Sequence, residues 1–381
     1  MDIQWTEEQE LLRSSIQRFL NDQYEFDARR RIIATDEGWS RERWHAFAEL
    51  GLLAAPFGEE NGGLGGGPLS TMIIMHEFGR HLVVEPFFET VVLAGGLIEA
   101  AGTAVQREKF LPPIMIGQSI WALAWTEEKS RYDLASVATT AAQQGDHYVL
   151  TGAKTAVIAA PWSDQLIVSA RTSGEKRARD GVSLFVVDRH APNLNLRSFK
   201  TIDGRRAAEV ALNGVKVPVD HLLGREGAGV ALLESCRDRA IAALCAEALS
   251  AMGELNSATL EYTKTRKQFG TALGSFQVLQ HRMVDMFIAL EEATSLTQYL
   301  NLSIANGEPH LSKIASGAKT KVGYAAKFIA EQAVQLHGGM GMTDELNVGH
   351  YFKRITSINV QFGDPSYHLT RYAGQDEPVH A

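Results

Sequence analysis

Two short runs, Arg266-Lys267-Gln268-Phe269-Gly270 and Gln335-Leu336-His337-Gly338-Gly339-Met340-Gly341, decide how this chain of 381 residues is read. The first closes the stretch Val230 to Lys264, which has no proline and one glycine, Gly253, and so predicts a single long helix. A helix of that length in a globular protein is usually one rod of a bundle. An arginine and an aromatic ring at its end are suited to holding a diphosphate and stacking on a ring. Ser275-Phe276-Gln277 then opens the next helix. The second run offers backbone N–H groups with no side chains in the way, together with amide and imidazole donors. Taken alone, either run reads equally well as a helix cap or a turn.

Upstream of the long helix the periodicity changes. His147-Tyr148-Val149-Leu150, Gln165 to Ser169, Val182 to Val187 and Ala208 to Leu212 are short β-rich runs. They are bounded by turn residues such as Thr151-Gly152, Asp180-Gly181 and Asn213-Gly214. Short strands with no helices between them predict an antiparallel barrel or sandwich rather than alternating strands and helices. Further upstream the pattern is helical. Thr6 to Gln9 is a capping box, and Leu12, Ile16, Phe19 and Leu20 follow at helical spacing. A glycine-rich loop, Gly62 to Gly67, reads as a flexible connection to a helical region from Thr71 to Glu99. A further helix from Val105 is expected to end at Pro112-Pro113. The predicted architecture is α+β in three parts: a helical domain over 1–118, a middle β-barrel or sandwich domain over 119–225, and a four-helix bundle over 226–381.

Composition excludes several classes of function. Hydrophobic residues make up 45% and charged residues 22%, ordinary for a protein with a sizeable core. The net charge of −8 is spread along the chain, and without a basic stripe no nucleic-acid partner is expected. Cys236 and Cys245 fall nine residues apart on one helix, about 13 Å along its axis, too far for a disulfide. They read as buried free thiols of a reducing compartment. With no signal-like N-terminus and no apolar run long enough to span a membrane, a cytoplasmic location without membrane insertion is expected. His76-Glu77-Phe78-Gly79-Arg80-His81 resembles a zinc-protease helix, but its histidines are five apart and point about 140° away from each other, so no metal is expected.

In this order, the motifs resemble the acyl-CoA dehydrogenase family over the whole chain. The resemblance implies FAD as cofactor, an acyl-CoA substrate and an electron-accepting flavoprotein. It also implies roles for Arg266, Phe269, Gln277, Gln335, His337, Gly338 and Gly339 at the diphosphate and adenine of a neighbouring subunit's FAD. Thr126-Glu127 is similar to the family's flavin-facing Thr-Glu, and Gly152-Ala153-Lys154 to the Gly-x-Lys before its second flavin strand.

Other family features are missing. Where most relatives carry their α-proton base in Tyr-Glu-Gly-Thr, this chain reads Gln361-Phe362-Gly363-Asp364, and phenylalanine accepts no proton. Some relatives hold the base on the long helix instead, and counting back without gaps places Ala240 there. Thr-Glu-Pro-x-x-Gly-Ser-Asp has become Thr126-Glu127-Glu128-Lys129-Ser130-Arg131-Tyr132-Asp133, and the flavin-covering Trp-Ile-Thr has become Ala156-Val157-Ile158. Substitute bases among the carboxylates are Glu247, Asp364 and Asp238. Glu247 stands alone in the otherwise small and apolar run Ala240 to Met252, and it reads more readily as an edge of the helix stripe that meets solvent or an arginine.

The stretches Arg131 to Ala135, Ala240 to Met252 and Gly349 to Arg354 are close to the small-subunit type of pimeloyl-CoA dehydrogenase. That likeness implies the subunit without a catalytic base in a heteromeric α2β2 enzyme with a homologous large subunit, as in steroid side-chain dehydrogenases. The alternatives are a self-sufficient homotetramer with Glu247 as its base, and a non-enzymatic binding protein of the same family.

Overall fold

A computed structural model describes residues 5–374. The chain forms two compact units. Among the described residues, one comprises 5–31, 68–83 and 241–374, and the other 32–67 and 84–240. The N-terminal helices divide between the units, and the boundary falls inside the long helix, between Ala240 and Ile241.

The second unit is built on an eight-stranded sheet. Its strands are β1 (Trp121–Ala124), β2 (Thr140–Gln144), β3 (His147–Ile158), β4 (Gln165–Arg171), β5 (Val182–Asp188), β6 (Leu194–Lys200), β7 (Arg206–Pro218) and β8 (Leu222–Leu223). They lie in the order β6-β7-β3-β2-β4-β5-β8, with β1 beside β4. Most pairings are antiparallel, but β1 and β2 both run parallel to β4. Val, Leu and Ile at alternating buried positions of β3 and β7 explain their long pairing.

A π-helix, Phe88–Gly95, packs on β1. Thr90 fastens it there, donating from Oγ1 to the Trp121 carbonyl and accepting from the Trp121 amide. The helix Ala104–Met115 does not stop at its prolines but runs through both for one more turn. Near a C-terminus proline removes few hydrogen bonds, and the Pro112 carbonyl still accepts from the Ile116 amide.

The glycine-rich loop is also not the flexible connection expected. The amides of residues 62–66 all donate to backbone carbonyls, those of Ala54, Ala55, Phe57, Gly58 and Glu59. At Gly63 a Cβ would lie 2.2 Å from the Phe57 carbonyl oxygen, so only glycine fits.

The first unit is helical. Its N-terminal members are α1 (Glu7–Gln23), closed by the Thr6/Gln9 capping box, and α2 (Gly67–His81). Its C-terminal part contains α3 (Gly229–Thr265), α4 (Gln277–Ala305), α5 (Leu311–His337), α6 (Asn347–Val360) and α7 (Pro365–Gly374). Here α5 packs against α4, α6 and α7. Small residues on α5, among them Ala315, Ala318, Ala326 and Ala330, allow that close approach. No helix among the described residues is long and apolar enough to cross a membrane.

Substituting Gly63→Ala should destabilise the chain by about 1–3 kcal/mol, the usual cost of forcing a methyl group into packed backbone. Gly339→Ala, where nothing lies within 4 Å, should stay within about 0.5 kcal/mol. Denaturant midpoints of the two variants test the contrast.

Candidate functional site

At the end of α3 the chain turns through a small hairpin in which Lys267–Gln268 pairs with Thr271–Ala272. Phe269 and Gly270 form its tip, with φ of 55° and 81°. That is the mirror-image turn preferred by right-twisted hairpins, usually filled by Asn-Gly because a bulky residue is strained at positive φ. Phe269 nevertheless occupies it with 91% of its surface exposed. A strained, exposed aromatic ring indicates a surface kept for recognition. Arg266, one residue before the hairpin, is exposed, and its guanidinium has no hydrogen bond or ion pair among the described residues. Gln277, the first residue of α4, is exposed as well.

The glycine run lies beside this end of α3. Tyr262, one turn before Arg266, stacks on His337 with ring centroids 4.4 Å apart and donates from its hydroxyl to the His337 carbonyl at 3.4 Å. Thus the two sequence motifs meet at one corner of the helical unit, with Tyr262 as the link. Tyr262 was not foreseen, although its position one helical turn from Arg266 was a usable signal.

His337 donates from Nδ1 to the Ala333 carbonyl at 2.8 Å. Burial holds its pKa below the usual histidine range, with that hydrogen bond opposing. The neutral ring therefore leaves Nε2 as an acceptor, not the donor expected from the sequence. Gln335, Gly338 and Gly339 are exposed, and nothing lies within 4 Å of a Cβ built on either glycine. A free guanidinium, an exposed ring, an acceptor nitrogen and open glycine backbone together suit the adenosine diphosphate end of a dinucleotide.

The positions expected to carry a base hold none. Phe362 is 8% exposed and Ala240 fully buried. Glu247 lies in the core, where both carboxylate oxygens accept from Arg354, Oε1 from Nε and Oε2 from Nη2, each at 2.6 Å. A carboxylate held by two charge-assisted bonds is not free to receive a proton from a substrate. Arg354 ends the run quoted above but was not foreseen as its partner. Asp364 accepts from the Tyr367 amide at 2.8 Å and caps α7. Asp238 accepts from Arg237 at 3.2 Å in the other unit.

Glu77, from the zinc-like run, accepts from Arg13 at 3.2 Å and Gln17 at 3.0 Å. It lines a cleft of about 440 Å³ within the helical unit, where Arg80 also pairs with Glu254 at 2.8 Å. Cys236 and Cys245 are buried free thiols, and burial pushes each up to about 12.

The fold is of the class that joins a helical unit to a largely antiparallel β-sheet unit, here with a corner suited to a nucleotide. Family models confirm the class: the acyl-CoA dehydrogenase N-terminal domain matches residues 6–118, the middle domain 122–215 and the C-terminal domain 227–373. The chain is 30% identical over 366 residues to the short-chain specific acyl-CoA dehydrogenase of Clostridium acetobutylicum, covering 94% of this chain and 95% of that protein. It is 31% identical over 323 residues to the caffeyl-CoA reductase-Etf complex subunit CarC of Acetobacterium woodii, covering 83% and 84%. Its fold matches that of butyryl-CoA dehydrogenase from Megasphaera elsdenii with a TM-score of 0.91, at 26% identity and covering 98% and 99%. The chain belongs to the acyl-CoA dehydrogenase family, whose members are FAD-dependent oxidoreductases acting on acyl-CoA.

Glu247→Gln should lower stability, by up to the about 3–5 kcal/mol seen when one partner of a buried ion pair is removed. Replacing Glu247 and Arg354 together by leucine and methionine should recover much of that loss. Thermal unfolding of the single and double variants tests this. A single variant as stable as the parent would show the pair to be dispensable.

Proposed function

We propose that this chain is the subunit lacking a catalytic base in a heteromeric α2β2 acyl-CoA dehydrogenase. In this reading it completes the adenosine end of an FAD whose reactive ring is served by a homologous large subunit. The observation that carries the reading is the absence of a carboxylate at both base positions, Phe362 and Ala240, while Arg266, Phe269, Gln335, Gly338 and Gly339 stay exposed. When bound, FAD takes up the hydride from the acyl β-carbon. This chain's own part is to bind and orient. Arg266 would hold the diphosphate through its fixed charge and paired N–H donors. Phe269 offers its ring for stacking on adenine. Gly338 and Gly339 allow close backbone approach, and His337 adds an acceptor. Arg131, Tyr132 and the Ala156-Val157-Ile158 run replace the residues with which relatives frame the flavin ring. Electrons leave for an acceptor flavoprotein, as the Etf named in the complex of the CarC relative suggests.

The homotetramer alternative requires Glu247 to leave Arg354 during each turnover. A non-enzymatic binding role would leave the exposed cofactor corner without a purpose. For both reasons the heteromer is preferred.

Expressed alone, the chain should be colourless or poor in flavin, and co-expression with its sibling subunit should give a yellow heteromer active on acyl-CoA. A homotetramer fully loaded with FAD would overturn the assignment.

Within the complex, Arg266→Ala should lose more FAD than Arg266→Lys, which keeps the charge but not the fork. Phe269→Ala should lower FAD retention with an unchanged melting temperature, because its ring is almost fully exposed. Unchanged FAD content in Arg266→Ala would mean that the arginine merely ends its helix.

A further inference from the structure

The segment between β1 and β2, which includes the Thr126-Glu127 read above as flavin-facing, has no regular secondary structure yet is held at almost every step. The Glu127 carboxylate accepts from the amides of Ala138 at 2.7 Å and Thr139 at 3.0 Å, from Thr139 Oγ1 at 2.8 Å and from Lys154 Nζ at 2.8 Å. Lys154, fully buried on β3, also donates to Ser169 Oγ at 3.0 Å on β4. Two residues further along β4, the buried Arg171 donates to the carbonyls of Ala135 and Val137 in this segment. It also donates to those of Ser173, Lys176, Ala178 and Asp180 in the neighbouring loop. The Thr126 carbonyl accepts from the Thr155 amide on β3. Gly152 on β3 lies so close that a Cβ there would be 2.6 Å from Thr139 Cα.

Backbone conformation gives a second, independent observation. Arg131 has φ of 46°, a region that suits the glycine relatives carry here and that costs a side-chain-bearing residue roughly 1 kcal/mol or more. Such a residue keeps that conformation only when its surroundings impose it. Hydrogen bonds flank it on both sides: Ser130 Oγ donates to the Glu127 carbonyl and accepts its amide, and Asp133 Oδ1 accepts from the Ala135 amide. A buried ion pair gives little net stability after desolvation, and its best-attested use is to fix one arrangement among several.

We propose that Glu127 and Lys154 are positioning residues which, with Arg171, hold the segment from Thr126 to Thr139 in one shape before any cofactor arrives, making Arg131 and Tyr132 fixed features of the flavin face. The proposal rests on the reading of this segment as flavin-facing. It implies that the two bulky residues do not swing aside for a flavin ring.

The same geometry gives the segment a pH dependence. Burial pushes the Lys154 ammonium down to about 8, with Glu127 acting in the opposite direction. Glu127 is the charged group that acts on Lys154, and Arg171 is coupled in turn to Glu127. Above about pH 8, Lys154 loses its charge in the folded chain and the clamp weakens. The folded pKa lies below the free value of 10.5, so between these values the unfolded chain binds more protons. The contribution of Lys154 to global stability therefore rises with pH in that window. Local loosening and global stability thus move in opposite directions.

The test is hydrogen exchange read by mass spectrometry on the full flavin-free chain, for the parent, Glu127→Gln and Lys154→Met, beside FAD uptake by the same isolated chains read from the visible spectrum. The parent amides of residues 137–139 should be protected without FAD, and in both variants they should exchange about tenfold faster while β5 is unaffected. In the parent, protection corrected for intrinsic rates should fall as pH rises through about 8. Both variants should also take up more FAD than the parent as isolated chains, because Arg131 and Tyr132 are then free to leave the place of a flavin ring. If Lys154→Met does not fold, Glu127→Gln and the pH series of the parent decide. Unprotected parent amides, or protection unchanged in the variants, would overturn the positioning role. Loosened amides with unchanged FAD uptake would overturn the proposal differently, by showing that the segment does not occupy the place of a flavin ring.

Discussion

The helical unit depends on the ion pair between Glu247 and Arg354. It is buried, bidentate and made between α3 and α6. Charges inside a core are costly unless every lone pair and proton is used. Here the geometry permits one register of α3 against α6 and penalises neighbouring ones. The surroundings are fitted to that register. Gly79 of α2 lies so near the Glu247 carbonyl that a Cβ would be 2.3 Å from it, and the Tyr351 hydroxyl donates to the Arg80 carbonyl. Lys319 of α5, fully buried and pushed down to about 8 by that burial, donates to the Ile358 carbonyl in the last turn of α6. Asn359 donates to the Gly323 carbonyl. The C-terminal end of α6 is therefore fixed to α5 by two hydrogen bonds.

Just beyond that end lies the turn where most relatives are expected to carry their base. Phe362 takes φ of 57° and is buried, and the neighbouring Gly363, at φ of 126°, sits against His368 and Tyr367. His368 donates from Nε2 to the Phe362 carbonyl, and Asp364 caps α7. The turn keeps a defined shape with its chemistry removed. A residue keeps such a conformation only where its surroundings impose it, and here the His368 hydrogen bond and the Asp364 cap do so.

Much of this was legible in the sequence, and the reasons are physical. The uninterrupted run before Arg266 predicted a long helix because nothing within it breaks helical hydrogen bonding, and α3 extends over Gly229–Thr265. Alternation and paired turn residues predicted the β domain. What alternation cannot carry is direction: β1 and β2 run parallel to β4 because of a chain path that no local pattern records. Glycine density suggested flexibility at residues 62–67, whereas the glycines are there for close backbone contact. Glu247 was conspicuous in an apolar run, but whether it was a reactive group or half of an ion pair depended on Arg354, more than a hundred residues away. The same holds for Lys154, whose carboxylate partner lies across the sheet.

The distribution of charge separates the parts of the chain that build the fold from those available to something else. Nearly every buried charge discussed has a partner within the chain: Glu247 with Arg354, Lys154 with Glu127, Arg205 with Glu89. Arg266 is different, exposed and free at the corner where Tyr262 brings the two motifs together. Beside it the Phe269 ring stands almost fully in solvent on a backbone that would be more comfortable with asparagine. Neither feature stabilises the isolated chain, since the ring gains no burial and the turn costs free energy. Both would become favourable against an anionic, ring-bearing ligand, because stacking and a bidentate charge contact would then replace exposure to solvent.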